Sequence, residues 1–218
     1  MRLACGSENA AFVTEEGMLC LEYPEEHFEV LSVDDLQIKG EHNASNALAA
    51  AAAAHALSCS ISDIAQALKS FAPLEHRIEP CGSIAGVSCY NDSKATNVDA
   101  TLVALTAFLP TRPIVLLGGR DKGTDLAPLV AACEENARAV VCFGEARERF
   151  LAAFAGSAVS PVLSAGTMEE ALDAALSIAE DGDVVVLSPA CASFDEFSCF
   201  EERGDVFKRL VADRAGKA

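Results

Sequence analysis

Three short polar stretches carry residue types that could bind or activate a small substrate. They are NDSKATN at residues 91–97, GGRDKG at 118–123 and SPACASFDEF at 188–197. Together they supply cations, carboxylates, hydroxyls and amides, and their glycines allow close backbone approach. Such groups can bind a small anion, particularly where free backbone N–H groups start a helix.

Each polar stretch directly follows a short apolar run that is typical of a buried strand. Runs such as IVLL, AVVCF and VVVL do not alternate between apolar and polar residues, which indicates strands covered on both faces. Helical patterns separate these runs, so we predict an α/β fold with a Rossmann-like, doubly wound and mostly parallel sheet. The predicted strands are 87–90, 114–117, 139–143 and 184–187, and the predicted helices are 98–109, 126–136, 146–155 and 168–179.

In an open parallel sheet, ligands bind beyond the carboxyl ends of the strands, so we expect the three stretches to converge on one pocket. Two simpler interpretations stay open. Thr96 or Asn97 could merely cap the following helix, and the charges of GGRDKG could simply be solvated. The sequence contains no GxxxxGK[ST] loop, no GxGxxG fingerprint, no GxSxG elbow and no HExxH pair. A phosphate-cradling loop, a serine hydrolase and a metal site are therefore not expected within this chain.

The first 73 residues have a different pattern. Short strands are predicted at 11–14, 18–22 and 28–33, followed by a helix from Glu41 to Leu57 and another at 62–71. Ser60 with Asp63 resembles a capping box for the second helix. We predict a domain boundary between Pro73 and Leu74, which divides the chain into domains 1–73 and 74–218.

Polar residues on either side of that boundary could also bind a ligand. Asn43 and Asn46 are three residues apart on one helical face, where their amides could contact a purine edge or cap the helix. Arg77 could bind phosphate bidentately or form an ion pair with Glu75. The residues alone leave each pair of alternatives open.

Composition narrows the possible partners. The 218 residues have a formal net charge of -17 and are 51% hydrophobic. This charge has the wrong sign for coating nucleic acid or an anionic membrane, so neither is expected as a partner. Nine cysteines without a CxxC pair and an N-terminus without a signal-like apolar stretch indicate a reducing, cytoplasmic setting.

Five clusters in this order resemble the Mur ligase family, and most closely its D-glutamate-adding members. They are HNASN, LEHR, NDSKATN, LLGGRDKG and SPACASFDEF, the last followed by Glu202, Arg203, Gly204 and Asp205. The resemblance extends from Gly40 to the C-terminus. NDSKATN and SPACAS are its most specific parts.

The resemblance implies a piece of a three-domain, ATP-dependent ligase that forms an amide through an acyl phosphate. Residues 1–73 would be the C-terminal remnant of the central ATP-binding domain, and residues 74–218 the complete amino-acid-binding domain. The P-loop and the magnesium ligands would lie outside this chain. We therefore expect no turnover by this chain alone.

The family's site residues transfer to matching positions of this sequence. Asn43 and Asn46 would face the adenine of ATP, and Arg77, Asp92 and Lys94 would contact its ribose and phosphates when the domains close. D-Glutamate would be held by Thr96, Lys122, Ser193, the Phe194 backbone and Phe200.

The implied partners are D-glutamate, ATP and UDP-N-acetylmuramoyl-L-alanine, bound by a cytoplasmic monomer that contributes to peptidoglycan precursor synthesis. An alternative remains: a non-catalytic Rossmann-like module that binds a small dicarboxylate or a nucleotide.

Overall fold

The computed structural model describes residues 2–5, 9–38, 40–72 and 74–216. The chain forms two compact units, residues 1–73 and 74–218. Each unit has its own sheet and its own hydrophobic core. No helix in the described part of the chain is both long and apolar enough to cross a bilayer.

The N-terminal unit is an antiparallel sheet with two helices. Leu19 and Leu21 on its third strand pack with Leu48, Ala51 and Ile64 from the helices in an apolar core. The predicted strands and helices of this unit are all present, with one further strand at its start. In chain order the elements are β1 (Arg2–Cys5), β2 (Asn9–Val13), β3 (Met18–Tyr23), β4 (Glu26–Ser32), a short 3-10 turn (Val33–Asp35), α1 (Glu41–Ala56) and α2 (Ile61–Ser70).

The C-terminal unit confirms the predicted Rossmann-like α/β fold. Its six strands have the order β5-β6-β10-β7-β8-β9, and all neighbours are parallel except β5, which pairs antiparallel with β6. The strands are β5 (Glu79–Ile84), β6 (Val87–Asn91), β7 (Ile114–Gly118), β8 (Ala139–Phe143), β9 (Val162–Ser164) and β10 (Val184–Ala190). The helices are α3 (Val98–Ala107), α4 (Ala127–Asn136), α5 (Arg147–Ala153), α6 (Met168–Ile178) and α7 (Phe200–Ala215).

Both faces of this sheet are covered, as the continuous apolar runs predict. On β7, Ile114 and Leu116 join one core cluster, whereas Val115 and Leu117 join the other. Successive strand residues point to opposite faces, so a strand buried on both sides has no polar position. Helices α6 and α7 cover one face, and α3, α4 and α5 cover the other.

The caps predicted at Ser60 and at Thr96 or Asn97 are present, and Thr167 forms a third. The Asp63 amide donates to Ser60 Oγ at 3.2 Å, the Ala100 amide to Asn97 Oδ1 at 2.9 Å, and the Glu170 amide to Thr167 Oγ1 at 3.2 Å. Each bond satisfies an amide that has no partner within the helix. Asn97, rather than Thr96, is therefore the cap of α3.

Candidate functional site

The three polar stretches meet at the carboxyl edge of the C-terminal sheet, as predicted. β10 lies between β6 and β7, so the residues that follow these strands are neighbours. The Asp92 amide donates to the Leu187 carbonyl at 2.8 Å, and the Arg120 amide to the Ala192 carbonyl at 2.8 Å. We refer to residues 91–97, 118–123 and 188–197 together as the turn cluster.

Lys122 and Thr96 come from different turns of the cluster and are in direct contact. Lys122 Nζ donates to the Thr96 carbonyl at 2.8 Å. Lys122 is exposed and Thr96 is half-buried, so the ammonium can also face a ligand. Asp121 anchors the same loop, because its carboxylate accepts from the Gly123 amide and from Arg149 Nη1, both within 2.9 Å.

Ser193 and Phe194 occupy the third turn but differ in accessibility. Ser193 is 2% exposed, whereas Phe194 is 58% exposed. The Ser193 carbonyl accepts the Phe197 amide at 2.9 Å, which closes the turn. This turn therefore presents an aromatic ring to solvent and keeps its hydroxyl inside.

Phe200 begins α7 and contacts the first turn of the cluster. Its carbonyl accepts from Ser93 Oγ at 2.8 Å, and its ring lies 4.0 Å from Lys94 Nζ, measured to the ring centroid. The His76 ring meets it edge-on, with centroids 5.9 Å apart. A residue predicted to bind D-glutamate thus touches one predicted to contact ATP phosphates.

Asp92 is almost fully enclosed, with 4% exposure. Oδ2 accepts from Ser188 Oγ at 2.7 Å, and Oδ1 accepts from the Ile78 amide at 3.2 Å. Burial raises the pKa of Asp92 to about 7, although both hydrogen bonds and the positive charge of Arg77 act in the opposite direction. This carboxylate therefore tethers the turns after β6 and β10 to the segment before β5.

Arg77 itself is exposed and forms no ion pair with Glu75, both of which lie in the described part of the chain. That alternative interpretation of Arg77 is wrong. Arg77 and Lys94 thus provide two exposed cations on the segments that Asp92 joins.

Asn43 and Asn46 lie in the N-terminal unit, on the first turns of α1. Asn43 is half-buried and Asn46 is exposed. The N-cap residue of α1 is Gly40, so neither asparagine occupies the N-cap position itself. Their placement three residues apart on one helix leaves their use for a nucleotide as a prediction.

Sequence reasoning missed the buried polar residues that support the turn cluster. His76 is 5% exposed, its amide donates to Glu79 Oε2 at 2.9 Å, and its Nδ1 lies 2.9 Å from Asn91 Nδ2. Lys208 Nζ on α7 donates to the same carboxylate at 3.3 Å. Gly204 permits this packing, because a Cβ there would lie 2.1 Å from His76 Nδ1.

Arg203 is the second residue that sequence reasoning left without a role. It is completely buried and donates from Nε to Ser93 Oγ at 2.9 Å. Helix α7 could have been predicted from the spacing of Arg203, Phe207 and Val211, which lie four residues apart on one helical face. Charged residues are seldom fully buried, so that spacing did not indicate a core position for the arginine.

A doubly wound sheet with cations, hydroxyls and backbone amides at its carboxyl edge defines a Rossmann-like domain suited to a small anionic ligand. Residues 76–191 match the family described as Mur ligase, glutamate ligase domain. This match covers more than half of the chain. The chain therefore belongs to the Mur ligase family, which confirms the resemblance noted from its motifs.

Curated relatives carry one shared name, UDP-N-acetylmuramoylalanine--D-glutamate ligase. The relative from Acidobacterium capsulatum is 42% identical over 189 residues, which cover 87% of this chain and 40% of the relative. The relative from Solibacter usitatus is 44% identical over 182 residues, covering 84% of this chain and 40% of the relative. The chain thus spans about two fifths of the length of these relatives.

Solved structures show the same fold at low sequence identity. UDP-N-acetylmuramate-alanine ligase from Thermotoga maritima matches with a TM-score of 0.68 and 17% identity, covering 100% of this chain and 45% of that one. Mycobacterium tuberculosis folylpolyglutamate synthase complexed with ADP matches with a TM-score of 0.66 and 19% identity, covering 90% of this chain and 46% of that one.

Proposed function

We propose that this chain supplies the amino-acid-binding domain, and part of the ATP site, of a ligase that adds D-glutamate to UDP-N-acetylmuramoyl-L-alanine. The relatives that share about 40% of its residues all carry that activity in their names. The contact between Lys122 and Thr96 is the observation that carries the proposal within the structure. The Lys122 ammonium and the Thr96 backbone come from two turns and lie within hydrogen-bond distance, which supports the binding of one small diacid by both residues.

The proposed reaction requires an activated carboxylate. ATP phosphorylates the carboxylate of the muramoyl-alanine substrate, the D-glutamate amine attacks the resulting acyl phosphate, and phosphate leaves. This chain's own contribution is to bind and orient D-glutamate, with Lys122 on a carboxylate and Thr96, Ser193, the Phe194 backbone and Phe200 around the remainder of the ligand. Ser193 is 2% exposed, so its contact with the ligand would require a movement of its turn. Orientation of the amine toward its target removes much of the entropic barrier to attack.

The proposed ATP contacts fit the chemistry of the nucleotide. Arg77 and Lys94 are exposed cations suited to phosphate oxygens, and the amides of Asn43 and Asn46 suit a purine edge. Asp92 is already bonded to Ser188 and Ile78, so its contact with ribose would require a change in these bonds. The described residues contain no group of three or more His, Cys, Asp or Glu side chains that could hold a metal ion.

The proposal includes a cytoplasmic setting and action as a monomer. All eight cysteines whose side chains are described are free, which is usual in a reducing compartment. The sequence holds no GxxxxGK[ST] loop, so we expect this chain alone to release no phosphate from ATP, even with both other substrates present.

Isothermal titration calorimetry of this chain with D-glutamate and L-glutamate tests the proposed amino-acid site. We expect D-glutamate to bind and L-glutamate to bind more weakly. Lys122→Met should weaken D-glutamate binding by about tenfold or more, since it removes a charge-assisted hydrogen bond. Arg147→Met is the matched control, because Arg147 pairs only with its neighbour Glu148 among the described ion pairs. Equal affinity for the two enantiomers, absence of binding, or an unaffected Lys122 variant would contradict the proposal.

A further inference from the structure

Arg203 is a completely buried charged side chain at the centre of the turn cluster. It has 0% exposure and is the largest fully buried residue of the described chain. It lies on the first turn of α7, behind Phe200. A guanidinium in the interior is costly unless its donors are used, so its contacts indicate what it does.

Two turns of the cluster are joined directly by the Arg203 guanidinium. Nε donates to Ser93 Oγ at 2.9 Å, and Nη2 donates to the Ser93 carbonyl at 2.9 Å and to the Cys191 carbonyl at 3.1 Å. Ser93 follows β6 and Cys191 follows β10. The planar, rigid arrangement of donors on one side chain therefore sets the distance between these two turns.

The remaining turn, residues 118–123, packs against the same guanidinium through Gly119. A Cβ built at Gly119 would lie 3.0 Å from Arg203 Nη1 and 2.3 Å from the Ala192 carbonyl oxygen, and its φ of +127° also disfavours any other residue. The backbone after β7 can approach both groups only because glycine has no side chain. Arg203 thus touches all three turns.

The charge of Arg203 is not neutralised by a direct ion pair with any residue in the described ranges. Asp195 and Glu196 are the carboxylates that act on it at longer range. Its Nη1 is buried and has no hydrogen-bond partner among the described residues. Burial lowers the pKa of Arg203 to about 10, so the group is still charged at neutral pH.

We infer that Arg203 is a positioning residue that holds the three turns in their binding geometry and makes the turn cluster selective for a carboxylate. The first part follows from the three contacts, and the second from a buried positive charge that makes no direct ion pair within the described ranges. The identity of the ligand as D-glutamate rests on the proposed function. Arg203 acts through Ser93, Cys191 and Gly119 rather than by touching the substrate.

Hydrogen exchange of this chain, read by peptide, tests the positioning role without any ligand. In Arg203→Met, we expect amides of all three turns to exchange on the order of tenfold faster, because each loses a buried charged contact. Amides of β8, outside the cluster, report the change in global stability of the unit, so the faster exchange of the turns is measured relative to theirs. Arg209→Met is the control, since Arg209 is an exposed arginine on the same helix. Faster exchange confined to α7, or equal effects of the two variants, would overturn the positioning role.

Calorimetry with D-glutamate and the neutral analogue D-glutamine tests the role of the charge. The unaltered chain should bind D-glutamate more tightly than D-glutamine, and Arg203→Met should lose most of that preference. Arg203→Lys retains the charge and should keep the preference, although the amides of its three turns should still exchange faster than in the unaltered chain. If the role of Arg203 were purely structural, Arg203→Met would weaken the binding of D-glutamate and of D-glutamine equally, and the ratio of the two affinities would be unchanged. The lysine variant also carries the exchange test should the methionine variant not fold.

The two experiments separate the inference from the proposed function. If the unaltered chain binds neither ligand, the proposed function fails while the exchange results still decide the positioning role. If the unaltered chain prefers D-glutamate and Arg203→Met keeps the same preference, the charge role fails and the proposed function stands.

Discussion

The N-terminal unit buries apolar side chains, whereas the C-terminal unit also buries a set of polar ones. Every buried polar or charged residue of the described chain belongs to the C-terminal unit: His76, Asn91, Asp92, Ser93, Thr101, Ser188, Ser193 and Arg203. Five of these eight lie in the turn cluster, and Arg203 donates to it. The core of the N-terminal unit consists instead of leucine, isoleucine, valine and alanine.

The two units therefore hold their candidate functional side chains in position by different interactions. Asn43 and Asn46 stand on a regular helix, where backbone hydrogen bonds and apolar packing already define their positions. The residues of the turn cluster stand on irregular backbone, which has no repeating hydrogen bonds and needs side chains such as Ser93 and Asp92 to hold it. A buried polar network fixes one geometry, but removal of one member leaves its partners buried without hydrogen bonds and lowers stability strongly.

The largest predicted effect concerns Ser93, whose hydroxyl lies at the centre of this network. Ser93→Ala removes the acceptor for Arg203 Nε and the donor to the Phe200 carbonyl. We expect it to lower the free energy of unfolding of the C-terminal unit by about 2–4 kcal/mol, because Arg203 Nε stays buried without its acceptor and the half-buried Phe200 carbonyl loses a donor. Hydrogen exchange of the slowest amides of each unit measures this quantity separately for the two units.

Asn46→Ala is the matched change in the N-terminal unit. Asn46 is exposed on α1, so its replacement by a better helix former should change the stability of that unit by less than about 0.5 kcal/mol. If Ser93→Ala and Asn46→Ala lowered the free energy of unfolding by similar amounts, the turn cluster would not depend on its buried polar network more than α1 depends on its surface residues.

The next largest effect is a pH dependence located at Asp92. Its pKa of about 7 in the folded chain lies well above the ordinary value of 3.8. The folded state therefore binds a proton that the unfolded state has lost, and stability falls as the pH rises from about 4 to 7. Asp92→Asn cannot ionise, so its stability relative to the unaltered chain should improve by about 2–3 kcal/mol between pH 5 and 8.5.

Thermal unfolding at several pH values follows the effect of Asp92→Asn. Asp99→Asn is a suitable control, since Asp99 is an exposed carboxylate on the first turn of the neighbouring helix. If the Asp92 and Asp99 variants showed the same pH profile, the buried carboxylate would not be the source of the dependence.

The comparison of the two units also explains how far the fold could be predicted from the sequence. Four of the five parallel strands and most helices followed from apolar runs and caps, because a strand covered on both faces is mostly apolar. β5 was missed since Pro80, a bulge and the positive φ of Gly82 interrupt it and only Ile84 is buried. β9 has three residues, none of them fully buried.

The site was predictable in position but not in its supporting residues. Strand ends located the three turns, but the contact between Lys122 and Thr96 joins turns after β6 and β7, which are not neighbouring strands, and was not predicted. The buried bonds of Arg203 and His76 depend on α7, which carries many charges and a glycine and was not predicted as a helix. Which polar residues become buried depends on tertiary packing rather than on local pattern.

Helix caps should behave alike in both units, because a cap acts only on the first turn of its own helix. Ser60→Ala in the N-terminal unit and Asn97→Ala beside the turn cluster each remove one side-chain acceptor of a helix amide. We expect each to cost about 1 kcal/mol in its own unit. Urea unfolding followed by hydrogen exchange gives both values. A much larger cost for Asn97 would show that the network extends into α3.

Within the turn cluster, the smallest effect should come from the contact between Lys94 and Phe200, which lies at its surface. The ammonium is 4.0 Å from the ring centroid, but Lys94 is exposed and water competes for its charge. A double-mutant cycle of Lys94→Met and Phe200→Leu should therefore give a coupling free energy of about 0.5–1 kcal/mol. Phe200→Leu also loses packing energy of the ring, and the cycle subtracts this energy, so that only the coupling between the two side chains remains.

A coupling near zero would mean that the two side chains are neighbours without an energetic link. A coupling as large as the cost of Ser93→Ala would instead place Lys94 and Phe200 within the buried network. In that case the division between the interior bonds of the turn cluster and its solvent-facing, ligand-binding side chains would be wrong, and ATP phosphates at Lys94 would necessarily disturb the D-glutamate contact proposed for Phe200.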